Sequence, residues 1–236
     1  MKIISLVHHS ISPDLLTADS VVLDLGANYG AFANAMASRF RCEVYAVEAS
    51  PRVFAKMPAG DFVKKFNFAI CGRSGTVALN ISSNHEVTSL KRLDNWEYID
   101  TIRVEGLSLD EFLKTESIPQ IDLLKVDIEG AEIEVFNSCS DAFLRSIDQI
   151  TVEFHEWLGG SSKTEVTDIV SRLQTLGFFV FKLSRANFSD VLFVHRRHMS
   201  FIDYASTILD IWAPRIVRYA RRRLSIRQLR HRTDSV

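Results

Sequence analysis

The chain divides into short, nearly continuous apolar runs separated by amphipathic stretches, a pattern typical of a mostly parallel sheet covered by helices on both faces. The last two apolar runs are joined by a short polar loop, which predicts an antiparallel pair near one edge. The apolar runs predict seven strands of this α/β sheet: Val21–Asp24, Val44–Glu48, Phe62–Ile70, Ile121–Val126, Ile150–Phe154, Phe178–Leu183 and Val191–His195.

Start and stop signals place helices between these strands. Ser108 and Ser162 each stand three residues before a glutamate, which predicts a capping box at two of the helix starts. Alternating residues in 76–81 and 101–104 predict an additional β excursion. The predicted helices are Ala31–Arg39, a short helix from Ser50-Pro51 to the stop at Pro58–Gly60, one opening at Ser108, Glu129–Asn137, and one from Ser162 to Gly177.

The first two strands and their connection carry a pattern typical of nucleotide binding. One strand runs into the loop G-A-N-Y-G, and about twenty residues later the next strand ends in Glu48. Glycines let the backbone approach a ligand, and a carboxylate suits the two donors of a ribose diol. Asp24 would repel a dinucleotide pyrophosphate but attract the cationic groups of S-adenosylmethionine, which favours that cofactor over NAD. The alternatives are glycines that serve only the turn and a Glu48 that is only solvated.

A second cluster of acids surrounds a glycine in I-D-L-L-K-V-D-I-E-G-A-E-I-E, which begins at Ile121. The helix dipole stabilises acids at a helix N-terminus. This effect accounts for Glu134 and partly for Glu132. It accounts less well for Asp127, because Asp127 ends a strand at the edge where ligands bind in such sheets. Asp127 is therefore a candidate site residue.

These elements, together with V-V-L-D-L-G-A-N-Y-G-A-F-A, V-Y-A-V-E-A-S-P and L-S-L-D-E-F-L, resemble the FkbM-type methyltransferase family over roughly residues 20–155, with a compatible closing hairpin to about Arg196. The resemblance implies a class I, Rossmann-like methyltransferase fold that uses S-adenosylmethionine. It also implies O-methylation of a sugar or other alcohol hydroxyl on a small molecule or glycan. The predicted cofactor-binding residues are Asp24, Gly26, Asn28, Tyr29, Gly30, Glu48, Ala49, Asn67, Ala69 and Asp127.

A neutral hydroxyl is a poor nucleophile, so a general base would assist its methylation. His155 follows the fifth strand and is the first candidate, because the ordinary pKa of histidine lies near physiological pH. Glu153 is a second candidate or the group that orients His155, and Asp127 completes the predicted catalytic set. A purely structural His155 is the alternative. These residues and Glu129 could also hold Mg²⁺ or Mn²⁺, but nothing in their spacing demands it, so no metal is expected.

The segment Ser82–Asn95 is the predicted acceptor-contact loop, because it is polar and long and lies next to the third strand. Its candidate hydrogen-bonding residues are His85, Thr88 and Ser89, to which Glu129 is added as a substrate contact. A solvated surface loop is the alternative for His85. The other open acceptors are a nitrogen centre and RNA, and a non-catalytic, cofactor-binding partner protein is the alternative outside enzymes.

Composition changes this picture mainly at the C-terminus. The hydrophobic fraction of 47% and the charged fraction of 24% are ordinary for a globular domain. Three scattered cysteines and a polar N-terminus predict a cytoplasmic protein without disulfides or a signal peptide. The net charge of −1, however, divides into −8 for the body and +7 for Arg215–Val236.

This charge division suggests three parts: a segment 1–19, a methyltransferase domain 20–197, and a helical, Arg-rich extension 198–236. We interpret the extension as a docked helix with a basic end. Contact with an anionic inner membrane face or a glycolipid is the sharper alternative. Nucleic acid is a weaker one, because interleaved aromatic stacking residues are missing.

Overall fold

A seven-stranded sheet forms the centre of the protein, whose computed structural model describes residues 1–83, 88–92, 96–118, 120–159 and 161–213. Two smaller sheets accompany it. The strands are β1 (Ile4–Leu6), β2 (His9–Ile11), β3 (Val21–Leu25), β4 (Glu43–Val47), β5 (Val63–Phe66), β6 (Ala69–Cys71), β7 (Gly75–Ser82), β8 (Thr88–Ser89), β9 (Tyr98–Ser108), β10 (Leu123–Val126), β11 (Gln149–Val152), β12 (Phe178–Lys182) and β13 (Val191–His195). The helices are α1 (Ala31–Phe40), α2 (Pro51–Phe54), α3 (Leu109–Thr115), α4 (Glu132–Ser138), α5 (Asp141–Ser146), α6 (Lys163–Thr175) and one over residues 201–213.

The central sheet has the strand order β12-β13-β11-β10-β3-β4-β5. Strand β13 runs antiparallel to both of its neighbours, β11 and β12, whereas the other neighbouring pairs are parallel. This arrangement confirms the predicted α/β fold with an antiparallel strand near one edge. It also brings the carboxyl ends of β3, β4, β10 and β11 to the same edge of the sheet.

Alternate side chains of each central strand enter two different cores. Leu23 and Leu25 pack with α3, α4 and α6 on one face, whereas Val22 packs with α1 and β2 on the other. Each large apolar side chain buried in this way contributes roughly 1.5–3 kcal/mol. Both faces are therefore covered, and the strand ends are left as the place where a ligand can enter.

The predicted third strand, Phe62–Ile70, is wrong as a single element. The chain leaves the central sheet after β5 and joins a second sheet as β6, because Asn67 between them donates its side-chain amide to Glu48 O at 2.8 Å. The second sheet, ordered β6-β9-β7-β8, contains the predicted excursion. Helix α4 also begins later than predicted, at Glu132, because Glu129 and Gly130 have positive φ angles of 53° and 99°.

The N-terminal hairpin β1–β2 was not predicted, and it packs on the domain. Ser12 N donates to the Gln149 side chain at 2.8 Å, and the Ser10 hydroxyl donates to Asp190 at 2.8 Å. The sequence signal is weak, because the turn residues Val7 and His8 adopt positive φ without a glycine. Through this hairpin, residues that precede the βαβ unit reach the ligand edge of the sheet.

The helix over residues 201–213 packs on β12, where the Tyr204 and Phe179 rings stack with centroids 4.5 Å apart. Its outer face carries exposed Phe201, Ile202 and Leu209. The Arg-rich segment after residue 213 lies outside the described residues, so its contact with a membrane or glycolipid stays a prediction. Within the described residues, no helix has the length and apolar character needed to cross a bilayer.

Candidate active site

A cleft opens at the carboxyl ends of the parallel strands, and its empty space, including the open mouth, is about 610 Å³. Most of its apolar wall comes from the end of β4 and from the second sheet, chiefly β6 and β7. The cleft is lined by Gly26, Asn28, Val47, Glu48, Ala49, Phe68, Ala69, Ile70, Leu79, Thr88, Leu90, Asp127, Ile128 and Glu129.

Gly26 closes the floor of the cleft by direct contact between two strand ends. Its φ is +77°, and a Cβ built there would lie 1.7 Å from Asp127 O. The N–H groups of Gly26 and Ala27 both donate to Val47 O, at 3.0 and 2.9 Å. The loop after β3 is thus fixed between β4 and β10 in a position that only glycine fits.

Glu48 is buried at the cleft wall, and backbone donors fix its carboxylate. Oε2 accepts from Asn28 N at 2.9 Å, and Oε1 accepts from Ser50 N at 2.7 Å. Burial raises the pKa of this carboxyl, and the two hydrogen bonds oppose the rise. A carboxylate offers about four acceptor positions, so each oxygen keeps one for a ligand.

Asp24, expected at the cleft, lies beneath it instead. Its side chain is completely buried and forms an ion pair with Lys125, whose Nζ lies 2.9 Å from Asp24 Oδ1. Lys125 Nζ also donates to Gly26 O at 2.7 Å. Burial alone would lower the pKa of Lys125, but Asp24 and Asp127 raise it. The only sequence sign of Lys125 is a charged residue within the apolar run of β10, and that sign does not predict its partner.

Three other predicted cofactor residues support the loop without lining the cleft. Gly30 precedes α1 with φ +78°, Tyr29 lies with its ring centroid 5.9 Å from Lys56 Nζ, and Asn67 binds the backbone after β4. Ala49 and Ala69 do line the cleft. Phe68, Ile70 and Leu79 form an apolar wall that was not predicted, because it depends on how β6 and β7 fold back.

Asp127 is the centre of an acid–histidine cluster at the far side of the cleft. Its Oδ2 lies 3.3 Å from His9 Nε2, and its Oδ1 lies 3.7 Å from His155 Nε2. Glu129 Oε2 lies 3.2 Å from the same His155 nitrogen. Glu153 belongs to the cluster with His9 and Asp127, since donor atoms of these three lie within 4.8 Å of one another. We define the acid–histidine cluster as His9, Asp127, Glu129, Glu132, Glu153 and His155.

The other ring nitrogen of His155, Nδ1, contacts the carboxylate of Glu132, the most deeply buried member of the cluster. His155 Nδ1 lies 2.8 Å from Glu132 Oε1, which also accepts from Gly130 N at 2.9 Å and from Ile128 N at 3.3 Å. His155 is 3% exposed and Glu132 is fully buried. His155 does not line the cleft, and its ring lies among the carboxylates of Glu132, Glu129 and Asp127.

The cluster shifts the pKa values of its members in opposite directions. Burial alone would lower the pKa of His155, but Glu132, Glu129 and Asp127 raise it to about 10. Burial alone would raise the pKa of Asp127, yet Lys125, His9 and His155 hold it well below its usual range. Burial raises the pKa of Glu129 to about 7, against the charge of His155. A pKa of about 10 favours the imidazolium form of His155 near neutral pH, whereas a histidine that acts as a general base must be neutral.

The predicted acceptor residues have different positions. Thr88 and Glu129 line the cleft, whereas Ser89 lies behind it and donates its hydroxyl to Glu129 O. His85 lies outside the described residues. Strand β8 thus attaches the second sheet to the loop that carries Glu129.

The model of the methyltransferase FkbM domain matches residues 24–180, which is more than half of the chain. The chain belongs to the FkbM methyltransferase family. It is accordingly a methyltransferase that depends on S-adenosylmethionine. The match covers the glycine loop, the acid–histidine cluster except for His9, and strand β12 up to Val180.

Two curated relatives are distantly similar to this chain. Hexuronic acid methyltransferase AglP of Haloferax volcanii is 26% identical over 177 residues, covering 71% of this chain and 67% of the relative. The 2-O-methyltransferase NoeI of Sinorhizobium fredii is 28% identical over 148 residues, covering 55% of this chain and 61% of the relative. Among solved structures, the fibrillarin pre-rRNA processing protein of Methanococcus jannaschii has a TM-score of 0.44 at 13% identity, covering 78% of this chain and 68% of that one.

Proposed function

We propose that this family member transfers the methyl group of S-adenosylmethionine to a hydroxyl of a sugar or related alcohol. The observation that carries the proposal is that the carboxylates of Asp127 and Glu129 line the same cleft as Gly26 and Glu48. The two distant relatives carry names for methylation of a hexuronic acid and for 2-O-methylation, which supports the same acceptor class.

The residues of the cleft fit the cofactor. The glycine-floored loop admits a ligand close to the backbone, Glu48 keeps acceptor positions for a ribose diol, and Phe68 and Ile70 offer an apolar wall for a base. When bound, the cofactor supplies a methyl group on a sulfonium, and an attacking oxygen displaces the thioether, whose sulfur keeps the electron pair. The protein's main contribution is the alignment of these groups.

The acceptor hydroxyl loses its proton to a carboxylate of the acid–histidine cluster. Asp127 and Glu129 are at the cleft surface, so they contact the acceptor. His155, our first candidate base, lies behind them with Nδ1 bound to Glu132. We therefore propose His155 as a positioning residue for the two carboxylates, in place of the base role considered from sequence.

The test uses the purified full chain with S-adenosylmethionine that carries a trideuterated methyl group. Uronic acids, neutral hexoses, oligosaccharides, a short RNA and a peptide serve as acceptors, and mass spectrometry locates the label. We expect the label on a sugar oxygen, with formation of one S-adenosylhomocysteine per transfer. Label on nitrogen or RNA alone, or no turnover by a chain that binds the cofactor, would overturn the proposal.

Two variants make this test specific to the cleft. Glu48→Gln weakens the polar wall of the cofactor side and should raise the KM for S-adenosylmethionine more than it lowers kcat. Glu105→Gln is the control, because Glu105 is exposed on β9 and lies outside this cleft. Equal kinetics for the two variants would contradict the position that we propose for the cofactor.

A further inference from the structure

We propose that the acid–histidine cluster holds one divalent cation of the Mn²⁺ type, bound by Asp127, Glu129 and His155. One donor atom from each of these side chains lies within 4.8 Å of the other two. His155 Nε2 lies 3.2 Å from Glu129 Oε2 and 3.7 Å from Asp127 Oδ1. An ion with bonds of about 2.1 Å separates adjacent ligand atoms by about 3.0 Å and opposite ones by about 4.2 Å. The separations of 3.2 and 3.7 Å from His155 Nε2 fall within these limits.

The hydrogen bonds of His155 provide an independent reason. Histidines that bind metals almost always donate their other ring N–H to a carboxylate or carbonyl, which fixes the tautomer and the ring orientation. Here Glu132, fully buried and itself fixed by Gly130 N, binds His155 Nδ1 at 2.8 Å. This contact directs Nε2 toward Asp127 and Glu129, the two carboxylates that line the cleft.

The charge of the cluster points the same way. Four carboxylates, those of Asp127, Glu129, Glu132 and Glu153, share two imidazoles in a largely buried place. Lys125 Nζ lies 2.9 Å from Asp24 Oδ1 and 3.6 Å from Asp127 Oδ2, so this one cation is shared between two carboxylates and leaves Glu129, Glu132 and Glu153 to the imidazoles. Burying carboxylates without a compensating positive charge is energetically unfavourable, and one bound divalent cation would offset that penalty. Carboxylates suit Mg²⁺ and Mn²⁺ while imidazole favours transition metals, so the mixed ligand set favours Mn²⁺.

His9 and Glu153 surround this site but are not its ligands in the proposal. His9 Nε2 lies 3.3 Å from Asp127 Oδ2, the oxygen of Asp127 that is not needed for the ion. His9 therefore orients the ligand from the N-terminal hairpin. Glu153 is left as a carboxylate that can take up a proton.

The role of the ion in catalysis rests on the proposed function, whereas its binding does not. Because Asp127 and Glu129 line the cleft, the ion would face the acceptor and bind its hydroxyl. A bound cation would make the hydroxyl proton more acidic, and a carboxylate of the acid–histidine cluster would take up that proton. The acceptor oxygen then bonds to the methyl carbon as the carbon–sulfur bond breaks, with its electron pair left on sulfur.

The experiment measures Mn²⁺ binding to the intact chain after treatment with EDTA, without cofactor or acceptor. Electron paramagnetic resonance counts free and bound Mn²⁺, and electron spin echo modulation detects a directly bound ¹⁴N. We expect one Mn²⁺ per chain and a ¹⁴N signal that disappears in His155→Gln. Absence of stoichiometric binding to wild-type protein, or a ¹⁴N signal that persists in His155→Gln and is lost in His9→Gln, would overturn the proposal.

Three further variants separate loss of the site from loss of the fold. Asp127→Asn and Glu129→Gln should abolish stoichiometric binding, and Glu132→Gln should weaken it about 10- to 100-fold through His155. Glu105→Gln should bind as the wild type does. Circular dichroism confirms that each variant is folded, and Glu129, at 27% side-chain exposure, is the ligand whose change disturbs the fold least. Methyl transfer without Mn²⁺ binding would contradict the metal site alone. Mn²⁺ binding without methyl transfer would contradict only the proposed function.

Discussion

The acidic side chains on the two sides of the cleft are held in place in different ways. On the side proposed for the cofactor, Glu48 accepts from the backbone N–H groups of Asn28 and Ser50, which belong to the same βαβ unit. On the acceptor side, Asp127 faces His9 and His155 from two other elements. The comparison shows that a backbone-built site is fixed by local sequence, whereas a site built from side chains depends on where distant elements meet.

Gly26→Ala should have the largest effect, because Gly26 joins the two sides of the cleft by its contact with Asp127. The new Cβ would lie 1.7 Å from Asp127 O at φ +77°. We expect cofactor binding to be lost and the free energy of unfolding to fall by roughly 3–5 kcal/mol, from backbone strain and overpacking together. Calorimetric titration with S-adenosylhomocysteine and urea unfolding measure the two effects.

Gly75→Ala is the matched control for that variant. Gly75 also has a positive φ, of +147°, but a Cβ there meets nothing within 4 Å. Only the strain contribution, about 1–2 kcal/mol, should appear, with cofactor binding unchanged. If the two variants behave alike, the close approach of Gly26 to Asp127 has no functional importance.

Lys125→Met tests the ion pair beneath the cofactor loop. It leaves Asp24 as a buried charge without a partner, which should cost about 3–5 kcal/mol in urea unfolding. The matched change is Lys64→Met, which breaks an ion pair with Glu43 in which both side chains are exposed by 53% and 41%. That change should cost under about 1 kcal/mol. Similar costs would mean that Asp24 is not charged or not buried as described.

Glu132→Ala tests whether the acceptor side depends on contacts beneath its surface. It removes the acceptor for His155 Nδ1 and for Gly130 N, and should cost about 1–3 kcal/mol of stability. Glu132→Gln keeps an acceptor oxygen and should recover most of that stability while methyl transfer stays below wild type. Glu134→Gln, an exposed change on the same helix, should alter neither. Full activity in Glu132→Gln would refute the positioning role of this carboxylate.

Sequence reasoning worked best where neighbouring residues decide the structure. The apolar runs predicted the central sheet, and G-A-N-Y-G with Glu48 predicted residues that line one wall of the cleft, because local geometry determines both. It did not predict the burial of Asp24 beneath the cleft, since its partner Lys125 is 101 residues away. It also read Glu132 as a helix-dipole acid, and gave His9 no role, because both functions depend on the final packing around Asp127 and His155.

The smallest effect is expected at the opposite end of β11, where Asp148 precedes the strand that leads to His155. Arg197 Nη2 and His198 Nε2 lie 2.5 and 2.7 Å from Asp148 Oδ1. Burial alone would raise the pKa of Asp148, but these partners hold it below its usual value. A lowered pKa in the folded state gives stability that is present above the ordinary value of about 3.9 and is lost as pH falls through the folded value.

Asp148→Asn should therefore cost about 0.5–1 kcal/mol at pH 7, since Arg197 is 37% exposed and solvent screens the pair. The difference from wild type in urea unfolding should shrink as pH falls toward 3. Cofactor affinity and Mn²⁺ binding at pH 7 should not change, because this network lies at the edge of the sheet away from the cleft. Asp210→Asn, an exposed change on the helix over residues 201–213, provides the baseline. If Asp148→Asn did alter ligand binding, the acid–histidine cluster would depend on contacts at the far end of β11 and not only on the residues that pack around Asp127.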